Sequence, residues 1–132
     1  MKFETTKEDI LASKVLKPGW YVFEIKDITE KQSKGDGSDL VEVKLIVTSG
    51  TNLASGGPST GVPVRMWISE KFKAESAITF ANVLAGKPAD YAEPVAVDLD
   101  NARGKKVKGY VVNGEYKGKA TNNIDRFGPV GN

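Results

Sequence analysis

The sequence predicts a mainly β domain, a five-stranded barrel with one helix between its third and fourth strands. Three observations predict it. Three early segments alternate apolar and polar residues with a period of two, a later segment repeats its apolar residues at helical spacing, and Gly104 to Phe127 reads as two strands about an Asn113-Gly114 turn. A chain of 132 residues is one ordinary domain, 1–132, in which residues 1–17 form an N-terminal extension and residues 48–63 a flexible, glycine-rich loop.

Taken in order, Thr6 to Val15 predicts a short helix, with Thr6 as cap and Asp9 three residues on completing a capping box. Lys17-Pro18-Gly19 breaks the chain. The first strand, Trp20 to Ile28, places Tyr21, Phe23 and Ile25 on the core face and Trp20, Val22, Glu24 and Lys26 on the other. Trp20 is either a lid on the core or a stacking ring, and the lid is preferred because aromatic area is mostly used for burial. Lys31 to Asp39 is a polar loop; Asp36, Ser38 and Asp39 lack the spacing of a calcium loop. In the second strand, Leu40 to Val47, Val41, Val43, Leu45 and Val47 point inward and Glu42 and Lys44 outward.

The glycine-rich loop contains no Gly-Lys-Ser/Thr, which excludes a phosphate-cradling P-loop. The third strand, Val64 to Ile68, turns Val64, Met66 and Ile68 inward and Arg65 and Trp67 outward. An outward tryptophan beside an arginine offers a base-stacking surface with a phosphate partner; packing of Trp67 under the glycine-rich loop is the equal alternative. Ser69 is read as the cap of a helix whose Phe72, Ala77, Phe80, Ala81 and Leu84 share a face, ended by Gly86 and Pro88. Pro94 to Leu99 is a short strand or a loop clamped by Leu99.

The last hairpin carries the charge. From Arg103 to Phe127 lie seven basic residues, Arg103, Lys105, Lys106, Lys108, Lys117, Lys119 and Arg126, against two acidic ones, Glu115 and Asp125, a net +5 in a chain whose total is +2. Everything outside the hairpin is therefore net acidic. Tyr110, Tyr116 and Phe127 are interleaved with these cations, with Val107 and Val111 facing inward. Cations mixed with aromatic rings suit a flexible polyanion with exposed bases, although lysines on exposed strands also serve simply to discourage edge pairing.

Composition narrows the chemistry. With no cysteine and no histidine, the chain lacks a disulfide framework, a thiolate metal site, a Ser-His-Asp arrangement and the usual zinc ligands, so neither a catalytic residue nor a cofactor or metal is expected. The charged N-terminus has no apolar core of a signal peptide, and no apolar run is long enough to span a membrane; a cytoplasmic protein is expected.

Three strands, a helix and two strands is the element order of an OB-fold barrel, which binds oligonucleotides across strands 2 and 3 between the loops that join strands 1 to 2 and 4 to 5. On that mapping Arg65, Lys105, Lys106, Lys108, Lys117, Lys119 and Arg126 neutralise phosphates, Trp67, Tyr110 and Tyr116 stack bases, Lys31 and Lys34 flank the site, and Trp20 and Phe127 are reserve stacking rings. The expected function is sequence-independent binding of single-stranded DNA, with RNA left open.

The segments KPGWYVFEIKDI, LVEVKLIV, ANVLAGKP, GKKVKGYVV and EYKGKATNNIDRF, followed by Pro129, resemble the small bacteriophage single-stranded DNA-binding proteins, from Pro18 to Pro129. Tyr116-Lys117-Gly118-Lys119 and Asn122-Asn123-Ile124 carry the resemblance best. It implies an OB-fold accessory factor of phage replication, recombination or repair, in the host cytoplasm, with phage replication or recombination proteins as partners and self-association left open. The end of the chain, FGPVGN, lacks the acidic tail through which many such proteins recruit partners. The alternatives are a non-enzymatic phage structural or protein-interaction β-barrel module and, less favoured, a nuclease holding magnesium on Asp36, Asp39, Asp98 and Asp100.

Overall fold

Strands form where the sequence alternates, and one long central strand organises the others. The computed structural model describes residues 1–32, 39–50, 53, 56–69 and 74–130. Strands β1 (Gly19–Gln32), β2 (Asp39–Gly50), β3 (Pro63–Ser69), β4 (Lys106–Tyr116) and β5 (Lys119–Gly128) make one antiparallel sheet in the spatial order β3-β2-β1-β4-β5. Helix α1 (Lys7–Ala12) precedes the sheet and α2 (Glu75–Leu84) separates β3 from β4. The chain is thus mainly β, with five strands and the helix between the third and fourth. The edge strands β3 and β5 are not hydrogen-bonded neighbours among the described residues, yet some of their Cα atoms lie within 8 Å of each other. No helix among those residues is long and apolar enough to cross a membrane.

Alternate positions build the core: Tyr21, Phe23 and Ile25 of β1, Val43, Leu45 and Val47 of β2, Val64 and Met66 of β3, Val107 and Val111 of β4, Ile124 and Phe127 of β5. Val41 and Ile68 sit partly buried at its margin. Against β2, β1 shifts register at Val22/Phe23 and again at Ile25/Asp27. The second shift lets Ile25 and Ile28 both face the core, which strict alternation forbids, and such bulges coil a strand. So β1 pairs with β2 to its end and with β4 over Gly19 to Glu24.

At the N-terminus the capping box forms: Asp9 N–H donates to Thr6 Oγ1 (3.1 Å) and Thr6 N–H to Asp9 Oδ2 (2.9 Å), which holds the Asp9 carboxyl below its ordinary value. The helix stops at Ala12, short of Val15, because the next residues are drawn onto the sheet. Leu16 is fully buried and bridges Leu53. Two asparagines paired across β4 and β5, Asn113 and Asn122, clamp its backbone. Asn122 accepts from Leu16 N–H and donates to the Lys14 carbonyl, and Asn113 donates to the Leu16 carbonyl, each at 2.9 Å.

Other boundaries depart from the expectation. Within residues 48–63, β2 continues to Gly50, and Leu53 and Val62 are buried, Val62 accepting Val47 N–H at 3.0 Å; residues 51, 52, 54 and 55 lie outside the described residues. Ser69 ends β3 and caps nothing; the N-cap of α2 is Ala74, with no side-chain bond, and Phe72 lies outside the described residues. Ala77 and Phe80 are buried as the helical spacing requires, while Ala81 and Leu84 are half-buried. Thr79 and Asn82 join the buried face because their polar atoms are satisfied. Thr79 donates to Glu75 O (2.8 Å) and accepts Phe127 N–H (2.8 Å); Asn82 donates to the carbonyls of Ala89 and Tyr91 (2.9 and 3.1 Å). Between Pro94 and Leu99 there is no strand; Leu99 begins a 3₁₀ turn (Leu99–Asn101) and packs against the core.

The hairpin turn is also displaced. Asn113 and Gly114 lie inside β4, opposite Asn122 and Thr121, and the chain reverses at Lys117-Gly118, whose φ angles are 51° and 78°. Two consecutive positive φ angles are what a type I′ turn demands, so that requirement was expected in the right hairpin at the wrong pair. Asn113 is instead occupied with the Leu16 carbonyl. Replacing Gly118 with alanine is expected to cost about 1–2 kcal/mol, because a Cβ is disfavoured in the left-handed region. Equilibrium denaturation measures this, and an unchanged midpoint would contradict the turn.

Candidate nucleic-acid interface

Outward positions of β2 and β3 and the tip of the β4-β5 hairpin, which are remote in sequence, come together along one open groove of about 1490 Å³. Lys44 from β2, Arg65 and Trp67 from β3, and Tyr116 and Lys119 from the hairpin line it; α1 and the segment after it supply a wall with Glu8, Asp9, Leu11 and Lys14. Lys44 and Arg65 are direct cross-strand partners, as are Tyr116 and Lys119. Tyr116 thus has a cation directly opposite it, and Arg65 stands two residues before Trp67 on the same face of β3. Trp67 is 53% exposed and Tyr116 66%, so both rings are open to solvent. Lys117 Nζ stands 5.4 Å from the Tyr116 ring centre at the tip.

A carboxylate sits among these groups. Glu42, opposite Trp67 across β2 and β3, holds Lys31 Nζ at 2.5 Å and Arg65 Nε at 3.6 Å. The Lys31 hydrogen bond and charge, then the Arg65 charge and a hydrogen bond from the Trp67 side chain, keep its carboxyl below the ordinary glutamate value. Glu42 consequently stays ionised through the neutral range and competes with any phosphate for Lys31 and Arg65. Glu42→Gln removes the charge but keeps an acceptor for Trp67. On the expectation from the sequence that the chain binds single-stranded DNA, that variant should do so up to about five-fold more tightly at low salt, the scale of a surface ion pair. Anisotropy titration reads the change, and weaker binding would show that Glu42 chiefly positions the ring.

A second cluster lies on the outer face of β1, β4 and β5. Trp20, Tyr110 and Arg126 form one row across the three strands. Trp20 and Tyr110 meet edge to face at 5.3 Å, and the Arg126 guanidinium stands 4.3 Å from the Tyr110 ring centre and 5.3 Å from that of Trp20. Lys108 Nζ is 5.9 Å from Trp20, and Arg126 also pairs with Asp125 at 2.8 Å. Trp20 is 39% exposed on the side opposite the core, so the preferred lid reading is corrected: the core face is already filled by Tyr21 and Phe23.

The remaining candidates scatter. Phe127 is 0% exposed and packs on Phe80 with ring centres 4.9 Å apart, which removes it as a stacking ring for a ligand. Lys106 begins β4 at the end away from the hairpin tip, and Lys105 precedes it; Lys106 faces Glu24, whose carboxyl is held low first by Lys26 at 2.6 Å. Arg103 is engaged with Asp27 (3.2 Å) and the Ile28 carbonyl (2.6 Å). Lys34 lies outside the described residues. Sequence reasoning missed Lys44 and Lys14; an outward lysine on β2 was legible, but its place beside Arg65 needed the strand register.

Of the four aspartates considered for magnesium, Asp36 and the Asp39 side chain lie outside the described residues, and Asp98 caps the 3₁₀ turn by accepting from Asp100 N–H (3.0 Å) and Asn101 Nδ2 (2.9 Å). Among the described residues no group of three or more His, Cys, Asp or Glu is placed to hold a metal ion. No protein-family model matches the chain, and no curated protein matches its sequence.

Proposed function

We propose that this chain is a non-enzymatic OB-barrel protein that binds single-stranded DNA with little sequence preference, in the service of phage replication, recombination or repair. Strand order β3-β2-β1-β4-β5, a helix between β3 and β4, and the approach of β3 to β5 support the barrel, since joining those two edges gives the cyclic order of that fold. The observation that carries the function is the groove. Lys44, Arg65 and Lys119 interleaved with Trp67 and Tyr116 supply phosphate partners and stacking rings along one path. Resemblance to the phage single-stranded DNA-binding proteins points the same way.

Tryptophan fluorescence titrated with oligo(dT) at two salt concentrations, with duplex as competitor, tests the proposal. Quenching should favour the single strand, and log affinity should fall against log salt with a slope of at least about −2, from roughly −0.7 each for Lys44, Arg65 and Lys119. Salt-insensitive binding, or equal preference for duplex, would overturn it. Glu8, Asp9 and Glu115, which line the same groove, favour one rival, a module that docks a basic peptide. In that case lysine-rich peptide, not oligo(dT), quenches the fluorescence.

A further inference from the structure

The groove is lined by the hairpin from Tyr116 and Lys119 as far as Thr121 and Asn123, and the outer face of the hairpin continues beyond it. Side chains alternate along a strand, so Tyr116, Gly114, Val112, Tyr110 and Lys108 share one face of β4. On β5 the residues opposite this face are Lys119, Thr121, Asn123 and, past a bulge, Arg126. The bulge leaves Asp125 without a partner on β4, and it restores Arg126 to the outer face while sending Phe127 to the core. Tyr116 lies six positions along β4 from Tyr110, about 20 Å of strand. Between them the face carries no carboxylate, and it ends in the Trp20, Tyr110 and Arg126 row with Lys108 alongside.

We infer that this row is a second contact for the same nucleic-acid strand, which enters the hairpin face at Tyr116 and Lys119, leaves the groove past Thr121 and Asn123, and reaches Trp20 and Arg126 along the same outer face. The inference rests on the groove binding single strands. Continuity of the face with the groove and charge complementarity commit the patch to the polyanion: Lys119, Arg126 and Lys108 flank the path, and Asp125, already paired with Arg126, is the acid beside it. Bases on this path meet the exposed part of the Trp20 indole. Short strands fill the groove alone, and longer ones engage both contacts.

The two tryptophans of the chain make the contacts separable. Trp67→Phe leaves Trp20 as the single indole reporter, and Trp20→Phe leaves Trp67. With oligo(dT) of about 4 and about 16 nucleotides, the two ends of the range for such folds, Trp67 should respond to both lengths and Trp20 to the longer strand only. Lys108→Glu combined with Arg126→Glu, both surface changes, should weaken the longer strand about ten-fold or more and leave the shorter one unchanged. Trp20 silent with the longer strand, or charge reversal that weakens neither strand or both equally, overturns the second contact while a responding Trp67 keeps the groove. Trp67 silent with both lengths overturns the groove reading itself. Trp20 quenching that follows protein concentration without DNA assigns the patch to a second copy and also overturns the inference.

Discussion

Trp67→Ala should lower affinity for oligo(dT) by about 5- to 150-fold, the 1–3 kcal/mol that stacking one base on an aromatic ring contributes. The ring stands on an edge strand, points away from the core and is 53% exposed, so little native packing goes with it. Thermal or denaturant midpoints should accordingly move by no more than about 0.5 kcal/mol in stability. Arg65→Ala provides the electrostatic counterpart. It should weaken binding of all sequences alike and make the salt slope about 0.7 shallower, because one phosphate contact is lost. Affinity that survives both substitutions would remove the β3 face from the interface, whatever the hairpin does.

Phe127→Ala should have the largest effect on stability, about 3–5 kcal/mol, in a domain whose total is on the order of 5–15 kcal/mol. Its ring is fully buried against Phe80, and its backbone N–H donates to the Thr79 hydroxyl, so one residue docks α2 onto β5 by both side chain and main chain. Truncation would leave a cavity where helix and sheet meet. Urea or guanidinium unfolding gives the loss directly. Phe127→Leu refills most of that space and should retain the fold with oligo(dT) affinity unchanged, whereas an affinity loss in a stably folded leucine variant would reinstate Phe127 as a ligand-stacking ring.

Phe127 also illustrates what local pattern leaves out. Counting by twos from the buried Ile124 puts Arg126 inside and Phe127 outside; the bulge at Asp125 reverses both. A bulge is set by how two strands coil around a shared core, and the five residues around it carry no mark of it. The hairpin turn is a similar case. Asn113-Gly114 and Lys117-Gly118 both suit a tight turn, and the choice falls to the cross-strand pairing, in which Asn113 and Asn122 together hold the backbone of residues 14–16. Once those asparagines are engaged, the chain has to turn four residues later.

What the sequence by itself determined is the set of strands, the inward faces of the first three and of the start of the fourth, and the helix between the third and fourth, because period-two and period-3.6 burial is written residue by residue. The Thr6 capping box, the inward Tyr21, Phe23 and Ile25, and the outward Arg65 and Trp67 were all legible in that way. Tertiary structure alone decided which cations stand beside which rings. Seven basic residues form one block of sequence, yet the fold divides them: Lys119 goes to the groove, Arg126 and Lys108 to the Trp20 row, Arg103 to Asp27 and Lys106 to the neighbourhood of Glu24. Glu42, read from the sequence only as an outward residue of an alternating strand, becomes the partner of Lys31 and Arg65. The physical reason is that charge interactions act through space over a few ångströms, and those distances are set by strand register and coiling, to which the spacing of residues along the chain is blind.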